Sequence, residues 1–228
     1  MKSKPLKPAE LAEYNLIKSI VSGKYPKNSK LPSERELAKK LNITRPTLRE
    51  ILQRLSRERW ITICQGKSTV VNDYWKNGGL GILATLTKYG EFLPENFLVN
   101  LIEARNTLLP KIAGLSVKNA SEKIINYLKS ADTIKENSKS FVKYDWNLQI
   151  LMAKHSQNPI YLLIFNDFKE IYSIITLRYF SLEKSRELAK NYYKELLETI
   201  PLGAEAIEQL VKNKMDKSGE IWKELTKI

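Results

Sequence analysis

Five arginines, Arg45, Arg49, Arg54, Arg57 and Arg59, fall within LNITRPTLREILQRLSRERW, residues 41–60, a stretch without lysine. Over the whole chain the preference is reversed, with 29 Lys against 9 Arg. The two cations do different chemistry. A guanidinium is a planar fork that pairs bidentately with phosphate or with the O6/N7 edge of guanine, whereas an ammonium is a point charge. Leu48, Ile51, Leu52 and Leu55 recur at helical spacing and must face a core, so Arg45, Thr47 and Arg49 project outward from the helix start. Threonine hydroxyls and the free N–H groups of a helix N-terminus suit phosphate. A merely solvated basic helix is the plainer reading; the surrounding elements decide against it, and the arginines are expected to read and grip DNA.

Those elements read as helix, helix, helix and hairpin. Ala12, Leu16, Ile17 and Ile20 recur at helical spacing until Gly23 and Pro26 end the pattern. In LPSERELAKKL, Ser33 and Glu36 form a capping box, with Leu37, Ala38 and Leu41 as the apolar face. A short turn through Asn42 and Ile43 leads to Thr44 as the next N-cap, with Pro46 tolerated in the first turn. Two short helices so joined predict a helix-turn-helix. WITICQGKSTVV then supplies β-branched residues around a polar tip, a hairpin, which makes the unit a winged helix. Residues 1–72 are assigned to this domain and 73–79, NDYWKNGG without its first residue, to a linker. Residues 80–228 are predicted to be an all-α bundle, with helices at 80–89, 95–109, 121–136, 139–155, 160–180, 185–199 and 203–226. The fold class is mainly α.

Composition agrees. Net charge is +13, and residues 1–75 carry 16 Lys and Arg against 7 Asp and Glu, while the remainder carries 22 against 18. The excess sits where polyanion binding is expected. At 43% hydrophobic the chain can bury a core. One cysteine, Cys64, precludes an internal disulfide, and the start MKSKPLKP lacks the apolar run of a signal peptide. The expectation is a soluble cytoplasmic protein with no membrane span. Catalysis is not expected: no histidine–carboxylate pair, activated cysteine or glycine-rich phosphate loop stands out.

Three features of the helical part invite a ligand. Arg105 falls in the apolar stripe Leu98, Leu101, Ile102, Leu108 and Leu109, and a buried arginine needs an anion. That anion is either Asp145, on a stripe with Phe141, Leu148 and Met152, or a ligand phosphate or carboxylate. The last helix runs Ile207, Val211, Met215, Ser218, Gly219 and Trp222, and its small residues serve either a close helix contact or a ligand's passage. Tyr172 and Tyr179 share a stripe with Ile164, Phe168 and Ile175, a pattern that by itself reads as core.

The stretch LPSERELAKKLNITRPTLREILQRLSRERWITICQGK resembles the GntR-type winged helix, with its PSERELA helix followed by T-R-x-x-[LV]-R-E-x-[LI]. Beyond it, VNDYWKNGGLGILATL, NPIYLLIFNDFKEIY and SGEIWKEL resemble the FadR subfamily, bacterial regulators of fatty acid metabolism, along nearly the whole chain. The resemblance implies a homodimer on a palindromic operator, with Arg35, Thr44, Arg45, Thr47 and Arg49 at DNA-contacting positions. Gln65, Gly66 and Lys67 would form a wing tip in the minor groove. Pro46 and Gln65 stand where the family commonly has threonine and histidine. The resemblance also implies an effector, long-chain fatty acyl-CoA, at Arg105, Tyr179, Tyr193, Ser218, Gly219, Trp222 and Lys227; Met215 and Lys217 depart from the family pattern. It implies repression of fatty acid degradation genes and activation of unsaturated fatty acid synthesis genes. The alternative is a GntR-type regulator sensing a different small organic acid at Arg105. Related regulators hold a metal through an aspartate and three histidines; this chain has one histidine, His155, and Gln149 where the first ligand would stand, so no metal and no cofactor are expected.

Overall fold

The computed structural model describes residues 6–64, 66–88 and 97–226, with side chains at 87, 88, 98 and 220–226 left aside. Two compact units, Met1–Leu93 and Pro94–Ile228, divide the chain.

The first unit opens with α1 (Pro8–Val21), α2 (Glu34–Leu41) and α3 (Arg45–Arg57). The apolar stripes predicted from spacing are buried, Ala12, Leu16, Ile17 and Ile20 on α1, Leu37 and Ala38 on α2, and Leu48, Ile51, Leu52 and Leu55 on α3; Leu41, at the end of α2, is half-buried. Ser33 and Glu36 cap α2 reciprocally, and the Ser33 hydrogen bonds hold the Glu36 carboxyl below its ordinary range. Asn42, left-handed at φ 52°, ends α2, and the chain re-enters helix after Thr44. The hairpin is short, β1 (Ile61–Thr62) antiparallel to β2 (Val70–Val71) with Ile61 opposite Val71. A third piece that periodicity does not announce, a single bridge from Lys30 to Val70, extends it.

The segment expected as a linker contains a helical turn, α4 (Tyr74–Asn77), and the two compact units divide after it, at 93/94. Tyr74 stacks on the fully buried Trp60, with centroids 4.7 Å apart. The next helix, α5 (Gly81–Lys88), buries Ile82 and Leu86. Glu58, which caps α3, accepts hydrogen bonds from Trp60 Nε1 at 3.1 Å and Thr85 Oγ1 at 3.0 Å, so α5 is tied to the end of α3.

The second unit comprises α6 (Phe97–Leu128), α7 (Ser138–His155), α8 (Pro159–Tyr179), α9 (Glu183–Thr199) and α10 (Ala204–Thr226), with α6 packed on α7 and α10, and α7 on α8. The bounds of α7 to α10 follow the predicted segments within two residues. The expected gap at 110–120 does not exist. Helix continues through Pro110 because Ile112, Ala113 and Val117 are buried in the bundle, and that packing outweighs the lost N–H. The break comes at Ala120 (φ −158°, ψ 47°), next to the predicted start at 121, and the helix ends at Leu128 instead of 136, followed by a 3₁₀ turn at Ala131–Thr133. No helix among the described residues is long and apolar enough to cross a membrane.

Candidate nucleic-acid interface and ligand cavity

In the first unit, α2 and α3 are joined by only residues 42–44, and α3 presents its start to solvent. Thr44 caps the helix, its Oγ1 accepting from Thr47 N at 3.3 Å and lying 2.9 Å from Thr47 Oγ1. Arg45, Pro46 and Arg49 are exposed and Thr47 is half-buried; Arg35, on α2, is exposed too. Among the described residues Arg35 and Arg45 form no ion pair. A helix N-terminus with hydroxyls and unpaired guanidiniums around it is a ready anion site, and its projecting side chains are those that reach base edges in a major groove.

The arginine cluster is not uniform in its bonding. Arg54 Nη2 donates to Glu13 Oε2 at 2.7 Å and fastens α3 to α1. Arg59 turns the chain at φ 64°, donates from Nη1 to the Asn77 carbonyl at 3.3 Å, and its own carbonyl accepts from Asn72 Nδ2 at 3.0 Å. Arg54 and Arg59 serve the fold. Arg49 is also engaged, its Nε donating to Glu34 Oε2 at 2.7 Å, a partner that no periodicity in the sequence reveals. On the wing, Gly66 has φ +70° with open space around its Cα, so glycine serves the turn and not a close approach. Lys67 is exposed, and its N–H donates to the Cys64 carbonyl at 3.1 Å. Gln65 lies outside the described residues.

The second unit holds a partly open cavity of about 230 Å³ between α6, α7, α8, α9 and α10. Its wall is mostly apolar: Leu101, Ile102 and Leu108 from α6, Ile164, Phe165, Phe168 and Ile175 from α8. Tyr172 and Tyr179 also line it, so the aromatic stripe that reads as core in the sequence is a cavity wall. Arg105 reaches the cavity, and Asp145 is not its direct partner. Nε donates to Gln149 Oε1 at 3.4 Å and Nη1 contacts Met215 Sδ at 2.7 Å; among the described residues it forms no ion pair.

Asp145, 7% exposed, is satisfied otherwise. Oδ1 accepts from the Tyr193 hydroxyl at 2.9 Å; Oδ2 accepts from the Tyr172 hydroxyl and from Gln149 Nε2 at 2.6 Å. Gln149 Nε2 also lies 3.0 Å from the Tyr172 hydroxyl, so the amide bridges Arg105 to the carboxylate. Burial, then the Asp145 charge, drives both tyrosine hydroxyls well above their ordinary pKa and keeps them donors. Tyr193 therefore holds the carboxylate and is absent from the cavity wall. The carboxylate at i and amide at i+4 on one buried stripe was the legible signal for this cluster.

On α10, Ser218 lines the cavity and donates to the Met215 carbonyl at 2.9 Å. A Cβ on Gly219 would meet nothing nearer than Asn106 Nδ2 at 3.9 Å, so no close helix contact demands the glycine; it leaves room. Met215, Lys217 and Lys214, the last unanticipated, also line the cavity, and Lys214 pairs with Glu195. Trp222 lies on α10 with its side chain undescribed, Leu98 likewise on α6, and Lys227 is outside the described residues. No three metal-ligating side chains gather among the described residues. His155 ends α7, its pKa lowered by desolvation and by Lys123 and Lys154.

Residues 8–71 match the model of the gntR family of bacterial regulatory proteins, and residues 72–228 match that of the FadR C-terminal domain. The chain is similar to the fatty acid metabolism regulator protein of Klebsiella pneumoniae, 36% identical over 221 residues, covering 96% of this chain and 92% of that protein. To the protein of the same name from a Shewanella species (strain MR-7) it is 40% identical over 192 residues, covering 83% and 78%. Among solved structures, Lar, which controls the Listeria monocytogenes agr system, superposes with a TM-score of 0.57 at 16% identity, over 95% of this chain and 98% of that one. At that identity the likeness is one of fold alone.

Proposed function

This chain belongs to the gntR family of bacterial regulatory proteins, with a FadR C-terminal domain, and as a transcriptional regulator of fatty acid metabolism we propose that it is released from DNA by long-chain fatty acyl-CoA. In this reading two copies act as a homodimer in the bacterial cytoplasm. Each α3 enters one major-groove half-site of a palindromic operator through Arg45, Thr44, Thr47 and Arg49, with Arg35 beside them and the 65–67 tip in the minor groove. The acyl chain occupies the apolar cavity, and an anionic or polar part of the CoA meets Arg105. Repression of degradation genes and activation of unsaturated fatty acid synthesis genes follow the family's role.

The observation that carries the ligand reading is Arg105: a half-buried guanidinium on an apolar cavity, against which the described residues set an amide oxygen and a thioether but no anion. A charge so placed is satisfied by an anion that arrives with an apolar body. Asp145 cannot easily take that part, since both of its oxygens already accept hydrogen bonds from Tyr172, Tyr193 and Gln149. An acyl chain entering beside Tyr172 would disturb that cluster, and ligand and DNA would then oppose each other reciprocally.

The test is fluorescence anisotropy of a labelled duplex from the gene's upstream region, titrated with protein and then with oleoyl-CoA, free CoA or oleate. Release by oleoyl-CoA alone is the expected result, and R105M should keep DNA binding while losing that release. Tight binding that oleoyl-CoA leaves unchanged would retire the acyl-CoA reading and turn attention to another small organic acid at Arg105.

A further inference from the structure

We propose that Glu34 is a specificity-determining residue that orients Arg49 for base reading, an inference that rests on the DNA-binding reading above. Glu34 is the first residue of α2, where the helix dipole favours a carboxylate, so its charge is anchored at a fixed point of the fold. Arg49 lies on the first turns of α3 and donates through Nε to Glu34 Oε2 at 2.7 Å. The contact spans the two helices of the motif and is local to neither.

The geometry of the guanidinium gives this contact its consequence. A carboxylate bound at Nε uses one donor of five, and the fork formed by Nη1 and Nη2 stays open for a second, bidentate partner. Arg49 keeps 67% of its side-chain surface exposed, so the fork is accessible. An arginine swinging freely would meet the nearest phosphate as readily as a base. One held at Nε sweeps a narrower arc and loses less rotamer freedom on docking. The carboxylate also repels phosphates, which weakens binding wherever the guanine-edge contact is missing. Both effects act on discrimination, whereas an exposed ion pair by itself contributes little to stability. Arg45, with no such anchor among the described residues, is the natural internal control.

The test uses the full-length protein and a duplex that the wild type selects from a randomised pool, compared with a random duplex of equal length and salt. E34A and E34Q should fold as the wild type does by circular dichroism. E34A should lower the ratio of selected to random affinity by about 10-fold, within the range of one good bidentate base contact. Affinity for random DNA should hold or rise. In the E34A background, R49A should cost far less discrimination than in the wild type, while R45A should cost the same in both. E34A that tightens binding to both duplexes equally, or an R49A effect independent of residue 34, overturns the inference and leaves Glu34 as a simple repulsive charge. A wild type that selects no duplex sinks the DNA-binding reading, and this one with it.

Discussion

At the start of α3, Thr44 and Arg45 stand in solvent, and Arg45 has no ionic partner among the described residues. In the helical unit Asp145 is 7% exposed and receives three donors from three helices, α7, α8 and α9. The difference follows from water. An exposed guanidinium keeps its hydration until a polyanion replaces it, so it can wait unpaired at little cost. A buried carboxylate has no water to fall back on and must be satisfied within the chain, so any ligand entering nearby has to compete with bonds already made. One region leaves its charge open to solvent; the other closes its charge within the chain.

The largest effect that sharpens this contrast is D145A. It strips the acceptor from Tyr172, Tyr193 and Gln149 at once and should cost about 3 kcal/mol of stability in urea unfolding. R45A should leave the unfolding free energy in urea within about 0.5 kcal/mol of wild type. Similar losses from the two truncations would erase the distinction between the regions. In DNA binding the order reverses, and R45A should lose about 1–3 kcal/mol on the operator and less on random duplex if it reads a base.

Smaller still is the difference between neighbouring arginines. R54A removes the bond to Glu13, whose side chain is only 16% exposed, and should lower stability by about 1 kcal/mol. R57A, from an exposed position, should lower it by less than half of that; equal effects would return Arg54 to the DNA-facing set. The last contrast is read through pH. Tyr172 and Tyr193 have folded-state pKa values raised above the ordinary value near 10, first by burial and then by Asp145. Between those values the unfolded chain sheds protons that the folded chain keeps, so stability should be intact below about pH 10 and fall as pH rises beyond it. Urea midpoints that stay level from about pH 9 to 11 would contradict the buried, neutral hydroxyls.

The winged helix was legible almost to the residue, since its signals are local. Ser33 with Glu36, Thr44 before Arg45, and the stripe Leu48, Ile51, Leu52 and Leu55 each span less than three helical turns. What escaped there were contacts between elements: the Lys30 bridge to Val70, the Arg54 bond to Glu13 and the Arg49 bond to Glu34, whose partners stand 40, 41 and 15 positions apart in the sequence. The helical unit was legible as helices with apolar faces, except where burial of Ile112, Ala113 and Val117 carried helix through Pro110.

The sequence by itself determined most of the helical segments, which faces are apolar, and that arginine and threonine crowd one helix start, because capping, periodicity and charge depend on near neighbours. Only the tertiary structure decided which arginines remain open and which are bonded, and that the Tyr172–Tyr179 stripe faces a cavity instead of a filled core. The same apolar stripe serves a packed interface and a hollow one equally well; whether space remains depends on what the opposing helices bring to it, and that is fixed only when they meet.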